Sequence, residues 1–489
     1  MASGRKIAKH TGIFMFMELG VRLIDALVSI VLARYLSPDG FGLMAFAISF
    51  SALYSILPGF GMGAMITRDV ARNPALRNSY ICNGIVAKIG LGLIAYGLIY
   101  AVAAFGFRLP PEKMSLVMLA GLLMILEANV RFTTGFFQAA QRMRMVAGTN
   151  LAIRSGWFIA SFLVISMKGG IFELIFVRVL LNAAGIVIMF ILMHIMLGKI
   201  RWEFNFKAMI NLLKVSFPFA LFRLFGQVYA DIDTVMLSAM RGDLMTGWYA
   251  AAYKFHRIFS FIPQSLFGSM LPTLTKQYAN GNQKEMISTL HVIFRYLFAL
   301  SLPITAGIFM LSRPIILLIY GSEYEGAVGV MRILIWSLNY TFLNSTLNAT
   351  IAALGMEKKG SATLFYGALA SALSNLIVIP LYGHLGAAAT TVFAEGLIFY
   401  MQTALVRKAL PGLGIWGQAL RPLGAALPMM GALYFLRSMP LPVAVAGGSL
   451  VYLVGVILLK IVRPEDWKMV RNGIGRRLTG RSAQEESGL

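Results

Sequence analysis

TGIFMFMELGVRLIDALVSIVLARYLSPDGFG, running from Thr11 to Gly42, is apolar for longer than a bilayer crossing requires. A crossing takes about 20 helical residues. Glu18, Arg22 and Asp25 stand inside it. At spacings of four and three they share one helical face. Ionisable groups at bilayer depth are costly unless they pair or face water. The stretch therefore predicts a membrane helix that turns a charged stripe toward a wet interior.

The rest of the chain agrees. Of 489 residues, 58% are hydrophobic and 13% charged, against about 45–50% apolar and about 25% charged in soluble domains. A net charge of +23 would suggest nucleic acid on a soluble protein, but the basic residues are scattered through short loops between apolar runs. No nucleic-acid partner is expected. The single cysteine, Cys82, excludes an intramolecular disulfide and a cysteine metal cluster, and the five histidines lack metal-ligand spacing. No metal site, cofactor or catalytic residue is expected. The basic start, MASGRKIAKH, precedes a run too long and too charged for a signal-peptide core, so it is expected to be retained.

Spans are predicted near 12–34, 41–66, 80–107, 116–137, 146–167, 171–197, 215–240, 250–270, 290–312, 328–352, 361–381, 386–406, 417–437 and 443–462. The fold class is all-α and polytopic, with about fourteen transmembrane helices. Roughly two dozen Lys and Arg fall on the side of the termini and about seven on the other. Both termini are thus expected in the cytoplasm. The non-cytoplasmic loops are short, and the tail after Ile461 is polar and basic.

The chain also repeats itself at a shift of 205 residues, setting Gly42 against Gly247. Leu32, Ala45, Ala47, Phe50, Ser55, Pro58, Gly63 and Met65 likewise match Leu237, Ala250, Ala252, Phe255, Ser260, Pro263, Gly268 and Met270. Aligned Gly and Pro count most, because they set backbone shape. An even number of spans separates the copies, so two six-helix lobes of one orientation are expected, with substrate between them and alternating access. The expected division is an N-lobe over 1–200, a C-lobe over 201–410, two further helices over 411–462 and a cytoplasmic tail over 463–489. Pro58 and Pro263 are expected to kink equivalent helices. Gly59, Gly61 and Gly63 are read as close helix packing.

The run LARYLSPDGFG (Leu32 to Gly42) resembles the first-loop signature of Wzx-type polysaccharide flippases. TRDVAR (Thr67 to Arg72), FFQAAQRMRM (Phe136 to Met145), GDLMTGWYAAAYKF (Gly242 to Phe255) and PQSLFGSMLPTLTK (Pro263 to Lys276) fit in order and spacing. The resemblance covers the first twelve spans. It implies the multidrug/oligosaccharidyl-lipid/polysaccharide exporter superfamily, a bacterial inner-membrane location, and an undecaprenyl-pyrophosphate-linked oligosaccharide carried to the periplasmic leaflet. A polysaccharide polymerase and a chain-length regulator are the expected protein partners, beside membrane lipid.

A pyrophosphate is a dense anion, and arginine binds it bidentately while staying charged. Arg22, Arg223, Arg257, Arg154 and Lys254 are therefore the candidates for a cationic cavity, with Gln227 for sugar hydroxyls. The competing reading is that each pairs internally or snorkels. Asp25, Asp231 and Asp233 are the candidates for coupling to H+ or Na+, or else neutralise arginines, as Asp25 and Glu18 would for Arg22. Glu127 and Arg131 are expected to pair within one helix, and Arg178 and Arg295 to snorkel at span ends. A lipid II flippase and a drug/cation antiporter are alternatives within the superfamily; the antiporter would favour an acidic or apolar cavity. A membrane polymerase or glycosyltransferase is the alternative from another class, and the short loops speak against it.

Overall fold

The computed structural model describes residues 2–198 and 202–463, and among these every regular element is helical. Lys199, Arg201, the side chain of Glu18 and the tail beyond residue 463 lie outside the described part. The first half comprises α1 (Ala2–Leu53), α2 (Ile56–Gly59), α3 (Met62–Arg72), α4 (Leu76–Ala101), α5 (Pro111–Ala139), α6 (Met143–Ser166) and α7 (Ile171–Leu197). The second comprises α8 (Phe206–Arg241), α9 (Asp243–Phe259), α10 (Phe261–Ala279), α11 (Gln283–Ile319), α12 (Gly326–Leu334), α13 (Ser337–Ala353), α14 (Glu357–Ala409), α15 (Leu420–Leu436) and α16 (Leu441–Leu458). Eight helical segments among the described residues are long and apolar enough to cross a bilayer on length and composition alone. Sharp turns at Ser37 in α1 and Gly383 in α14 make two crossings of each helix. Crossings interrupted partway account for α1–α2–α3, α9–α10 and α12–α13. The total is about fourteen.

The repeat is written into the backbone. Ser37 (φ 59°, ψ 169°) and Gly242 (φ 85°, ψ 176°), 205 positions apart, make the same left-handed reversal between crossings. Ser55 (φ −63°, ψ −15°) and Ser260 (φ −63°, ψ −13°) mark the same interruption partway through the next crossing. Pro58 and Pro263 explain that interruption. Proline lacks the N–H that would bond four residues back, so the preceding helices stop at Leu53 and Phe259. The breaks thus precede the prolines. The carbonyl of each proline also accepts a hydrogen bond from a side chain on a neighbouring helix. Lys88 Nζ donates to the Pro58 carbonyl, and to that of Ala128 at 3.2 Å. In the other lobe Ser345 Oγ donates to the Pro263 carbonyl at 2.9 Å. Of the three nearby glycines, Gly61 supplies a left-handed turn (φ 67°), and a Cβ on Gly63 would lie 3.5 Å from the Arg131 carbonyl. Gly59 meets nothing within 4 Å, so close packing describes Gly63 and not Gly59.

The two copies meet at the end of the molecule where α1 reverses. A Cβ on Gly42 would strike the Asp243 carbonyl, and a Cβ on Gly247 would strike the Pro38 carbonyl. Pro38 and Asp243 are themselves 205 apart, so the contact is reciprocal, as at a two-fold axis. Around it Arg34 Nε donates to the Ile319 carbonyl at 2.7 Å and Tyr324 Oη to the Ala33 carbonyl at 2.7 Å. Lys113 meets Asp243 at 2.6 Å. This end is closed.

The helices α15 and α16 pack on each other and on α11. One element departs from the expected division at residue 200. Leu212 of α8 is buried in a cluster with Met65, Ile81, Phe132 and Met189 of the first half, and Ser216 Oγ lies 3.2 Å from Met65 Sδ. The later part of α8 packs on α14. This helix begins in one lobe and ends in the other.

The glycine contact yields a mutational test. Gly247→Val places side-chain atoms inside the Pro38 backbone and is expected to cost at least about 1–3 kcal/mol, or to force the closed end apart. Gly97→Val, at a position with nothing within 4 Å, serves as the control. Thermal unfolding of both variants in detergent checks this, and equal midpoints would remove the proposed tightness.

Candidate functional site

Inward of the closed end, a cavity of about 460 Å³ opens between α1, α6 and α7 on one side and α8, α9 and α10 on the other. Much of its wall is apolar, including Val28, Met44, Ile48 and Trp157. Arg22, Arg154 and Arg178 enter it from the first lobe, Lys254 and Arg257 from the second, and Asp25 is the acidic residue of its lining.

Each basic side chain is held differently. The Arg22 guanidinium lies over the Phe261 ring of the other lobe, 4.2 Å from its centroid, a cation–π arrangement. Asp25 pairs with Arg154 at 3.5 Å, so its ion partner on another helix replaces the one expected a turn away at Arg22. Arg178 meets Glu127 at 2.8 Å, while Arg131 approaches the same carboxylate only to 4.0 Å. The expected intrahelical pair is thus the weaker contact. Arg178 also does not snorkel: it lines the cavity, 6.0 Å from the Trp157 ring centroid. Arg295 is buried as well, at 4% exposure, beside the Tyr296 ring.

In the second lobe Arg257 meets Asp231 at 3.3 Å and lies 5.1 Å from the Tyr253 ring centroid. Asp231 is buried and accepts two further hydrogen bonds, from Ser49 Oγ of the first lobe at 3.0 Å and from Gln227. Gln227 is therefore committed to Asp231. The Arg257 side chain is 51% exposed while that of Asp231 is 7% exposed, so a buried carboxylate steers a guanidinium that still faces the cavity. Arg223 is exposed and is not in the cavity lining; it lies within electrostatic reach of Lys88 and Arg131. Five basic residues against one acidic line the space. Glu127 and Asp231, outside the lining, partner Arg178 and Arg257 from neighbouring positions.

Asp233 stands apart, buried inside the second lobe. It accepts hydrogen bonds from Asn375 at 2.5 Å, Thr391 at 2.8 Å, Tyr249 at 3.1 Å and Ser371 at 3.2 Å. Thr390 donates in turn to Asn375. These neutral oxygens and amides form a polar nest around one carboxylate. Among the described residues no group of three or more His, Cys, Asp or Glu suits a metal ion.

The sequence reading passed over two buried polar sites. Lys88 ties α4 to the break after α1, and an isolated lysine in an apolar span was its signal. Glu395 accepts from Asn344 Nδ2 at 2.8 Å, and a lone acid in the span near 386–406 would have flagged it.

These features define a polytopic membrane transporter of two lobes closing on a basic cavity. Residues 7–277, more than half of the chain, match the family model described as "Polysaccharide biosynthesis protein", and residues 218–381 match the MatE model. The chain belongs to the polysaccharide biosynthesis protein family, within the multidrug/oligosaccharidyl-lipid/polysaccharide exporter superfamily. It is 23% identical over 384 residues to a Shigella dysenteriae protein whose name assigns it O-antigen transport, covering 76% of this chain and 93% of that one. It is 21% identical over 387 residues to the Rhizobium meliloti succinoglycan biosynthesis transport protein ExoT, covering 76% and 73%. Its fold is similar to that of the lipid II flippase MurJ in an inward closed conformation, with a TM-score of 0.75 at 18% identity, covering 92% of this chain and 99% of that one.

The Arg178–Glu127 pair gives a second test. Both side chains are half-buried, at 20% and 26% exposure, so removing one partner is expected to cost less than the about 3–5 kcal/mol of a fully buried pair. Arg178→Gln is expected to destabilise more than the double variant Glu127→Gln/Arg178→Gln, with a coupling of about 0.5–3 kcal/mol. Thermal unfolding in detergent measures the cycle, and additive effects would dissolve the pair.

Proposed function

We propose that this protein carries an undecaprenyl-pyrophosphate-linked oligosaccharide from the cytoplasmic to the periplasmic leaflet of a bacterial inner membrane by alternating access. The observation that carries this reading is the basic cavity, to which both lobes contribute cations. A pyrophosphate between the lobes would draw them together through Arg22 on α1 and Arg257 on α9. Lys254, Arg154 and Arg178 would add to the positive field. The names of the Shigella and Rhizobium relatives support a lipid-linked glycan as the cargo, and they are names of transporters and not of enzymes. A lining of five basic residues and one acidic disfavours an exporter of cationic drugs. With the termini in the cytoplasm, as the Lys/Arg asymmetry supports, the closed end is the periplasmic one. A polymerase and a chain-length regulator would then receive the product on that side.

Arg223 enters this reading at the approach to the cavity. Asp25 and Asp231 are each engaged by an arginine, so Asp233 is the group we assign to a coupling H+ or Na+. Its neighbours Ser371, Thr391 and Tyr249 bring hydroxyl oxygens, the hard ligands a Na+ takes.

Two experiments test the reading. In a strain lacking its own flippase, Arg22→Ala and Arg257→Ala at matched membrane levels are expected to lower glycan export at least tenfold, and Lys at either position to restore it poorly, because Lys cannot bind bidentately. Normal export by well-expressed Ala variants would overturn the cavity role. In proteoliposomes, Asp233→Asn is expected to abolish the stimulation of transport by an imposed H+ or Na+ gradient while lipid-linked glycan still binds. Unchanged stimulation would remove the coupling role.

A further inference from the structure

On the membrane face of the first lobe a second groove, also about 460 Å³, runs between α6 and α7. Its walls are apolar: Ala152, Ile153, Leu181, Ala184, Ile188 and Leu192 all contribute. It is separate from the basic cavity, which the same two helices wall on their other side with Arg154 and Arg178. Two features say what would fill it. The first is charge. Arg144, exposed at the first turn of α6, is the one charged residue in the groove lining, and it sits at one end. That end adjoins the α5–α6 loop with Arg142, on the side that the Lys/Arg asymmetry assigns to the cytoplasm. The second is length. From Arg144 to Ile153 the groove follows α6 for about 14 Å, at about 1.5 Å of rise per residue. One leaflet of hydrocarbon is about 15 Å deep, half of a core of about 30 Å.

We propose that this groove is a binding site for one anionic phospholipid of the cytoplasmic leaflet. An acyl chain lies along the cleft between α6 and α7, and the phosphate-bearing headgroup is held by Arg144. An apolar slot with a guanidinium at its interfacial end matches the two halves of such a lipid. A polyprenyl chain is much longer than the slot, and a zwitterionic lipid leaves the arginine charge without net compensation. The proposal is independent of which cargo the central cavity carries.

Native mass spectrometry of the full chain, released from detergent with added lipid, tests it. Phosphatidylglycerol, phosphatidylcholine and inorganic phosphate are the probes. The wild-type protein is expected to retain a phosphatidylglycerol adduct in preference to phosphatidylcholine. Arg144→Gln is expected to weaken that preference about fivefold, the effect of one basic residue at an anionic lipid surface, and Arg144→Lys to preserve most of it. Because Arg144 is exposed, these variants leave packing intact. Filling the slot with Ala152→Phe and Ala184→Phe is expected to reduce phosphatidylglycerol retention at least tenfold, with unfolding temperature as the folding control. Equal retention of both lipids, or an adduct unchanged by Arg144→Gln, would overturn the proposal. Inorganic phosphate binding alone and displacing phosphatidylglycerol would mark a plain anion site and overturn it too. So would an adduct that survives in folded slot-filled variants.

Discussion

Hydrocarbon offers no hydrogen bonds, so every polar group at bilayer depth must find its partner inside the protein. Much of this structure is arranged around that demand. The prolines at 58 and 263 interrupt two crossings, and in each lobe a side chain from a neighbouring helix bonds the proline carbonyl: Lys88 in one, Ser345 in the other. The same demand sorts the charges. Asp231 is sheltered and holds Arg257 in place from behind, and Glu127 pairs with Arg178 at the cavity wall. The guanidiniums reach the cavity with their orientation already set, which is the preorganisation that anion binding rewards.

The lobes share a skeleton and differ in chemistry. Backbone angles agree at Ser37 and Gly242, and again at Ser55 and Ser260, although the charged side chains of the two lobes do not correspond: Arg22 aligns with Gln227 and Arg257 with Ala52. The first lobe places guanidinium–carboxylate pairs along the cavity. The second sets Asp233 among hydroxyls and an amide, away from any pair the first lobe makes. A duplicated frame thus shares one basic cavity wall between its lobes and adds an enclosed carboxylate to the second alone.

Much of the fold was legible in the sequence because its determinants are local. Span length, the Lys/Arg asymmetry and the Gly and Pro positions of the repeat need no knowledge of tertiary contacts. The cavity was legible in part. Arg22, Arg154, Lys254 and Arg257 stand in mid-span, where solvation leaves few alternatives. Partners were not legible. Asp25 chose Arg154 on α6 over Arg22 one turn away, and Glu127 chose Arg178 on α7 over Arg131 on its own helix. Such choices depend on how helices face each other, which spacing along one helix cannot reveal. Arg223 shows the same gap. It shares a face with Gln227 and Asp231, but α8 leans across to the first lobe, so one face meets two different environments along its length.

That lean also bears on mechanics. Helix α8 is fastened at Leu212 and Ser216 to one half of the molecule and at Asp233 to the other. Two bodies joined by a continuous rod cannot tilt against each other without loading it. Either the rod flexes, or one of its fastenings slips. Between the anchors lies Gly226, where an added Cβ would meet nothing within 4 Å, so that stretch has room to bow. Helix α8 thus acts as a spring in series with any tilting motion, and the stiffness of a single helix enters the energy separating one tilt from the next.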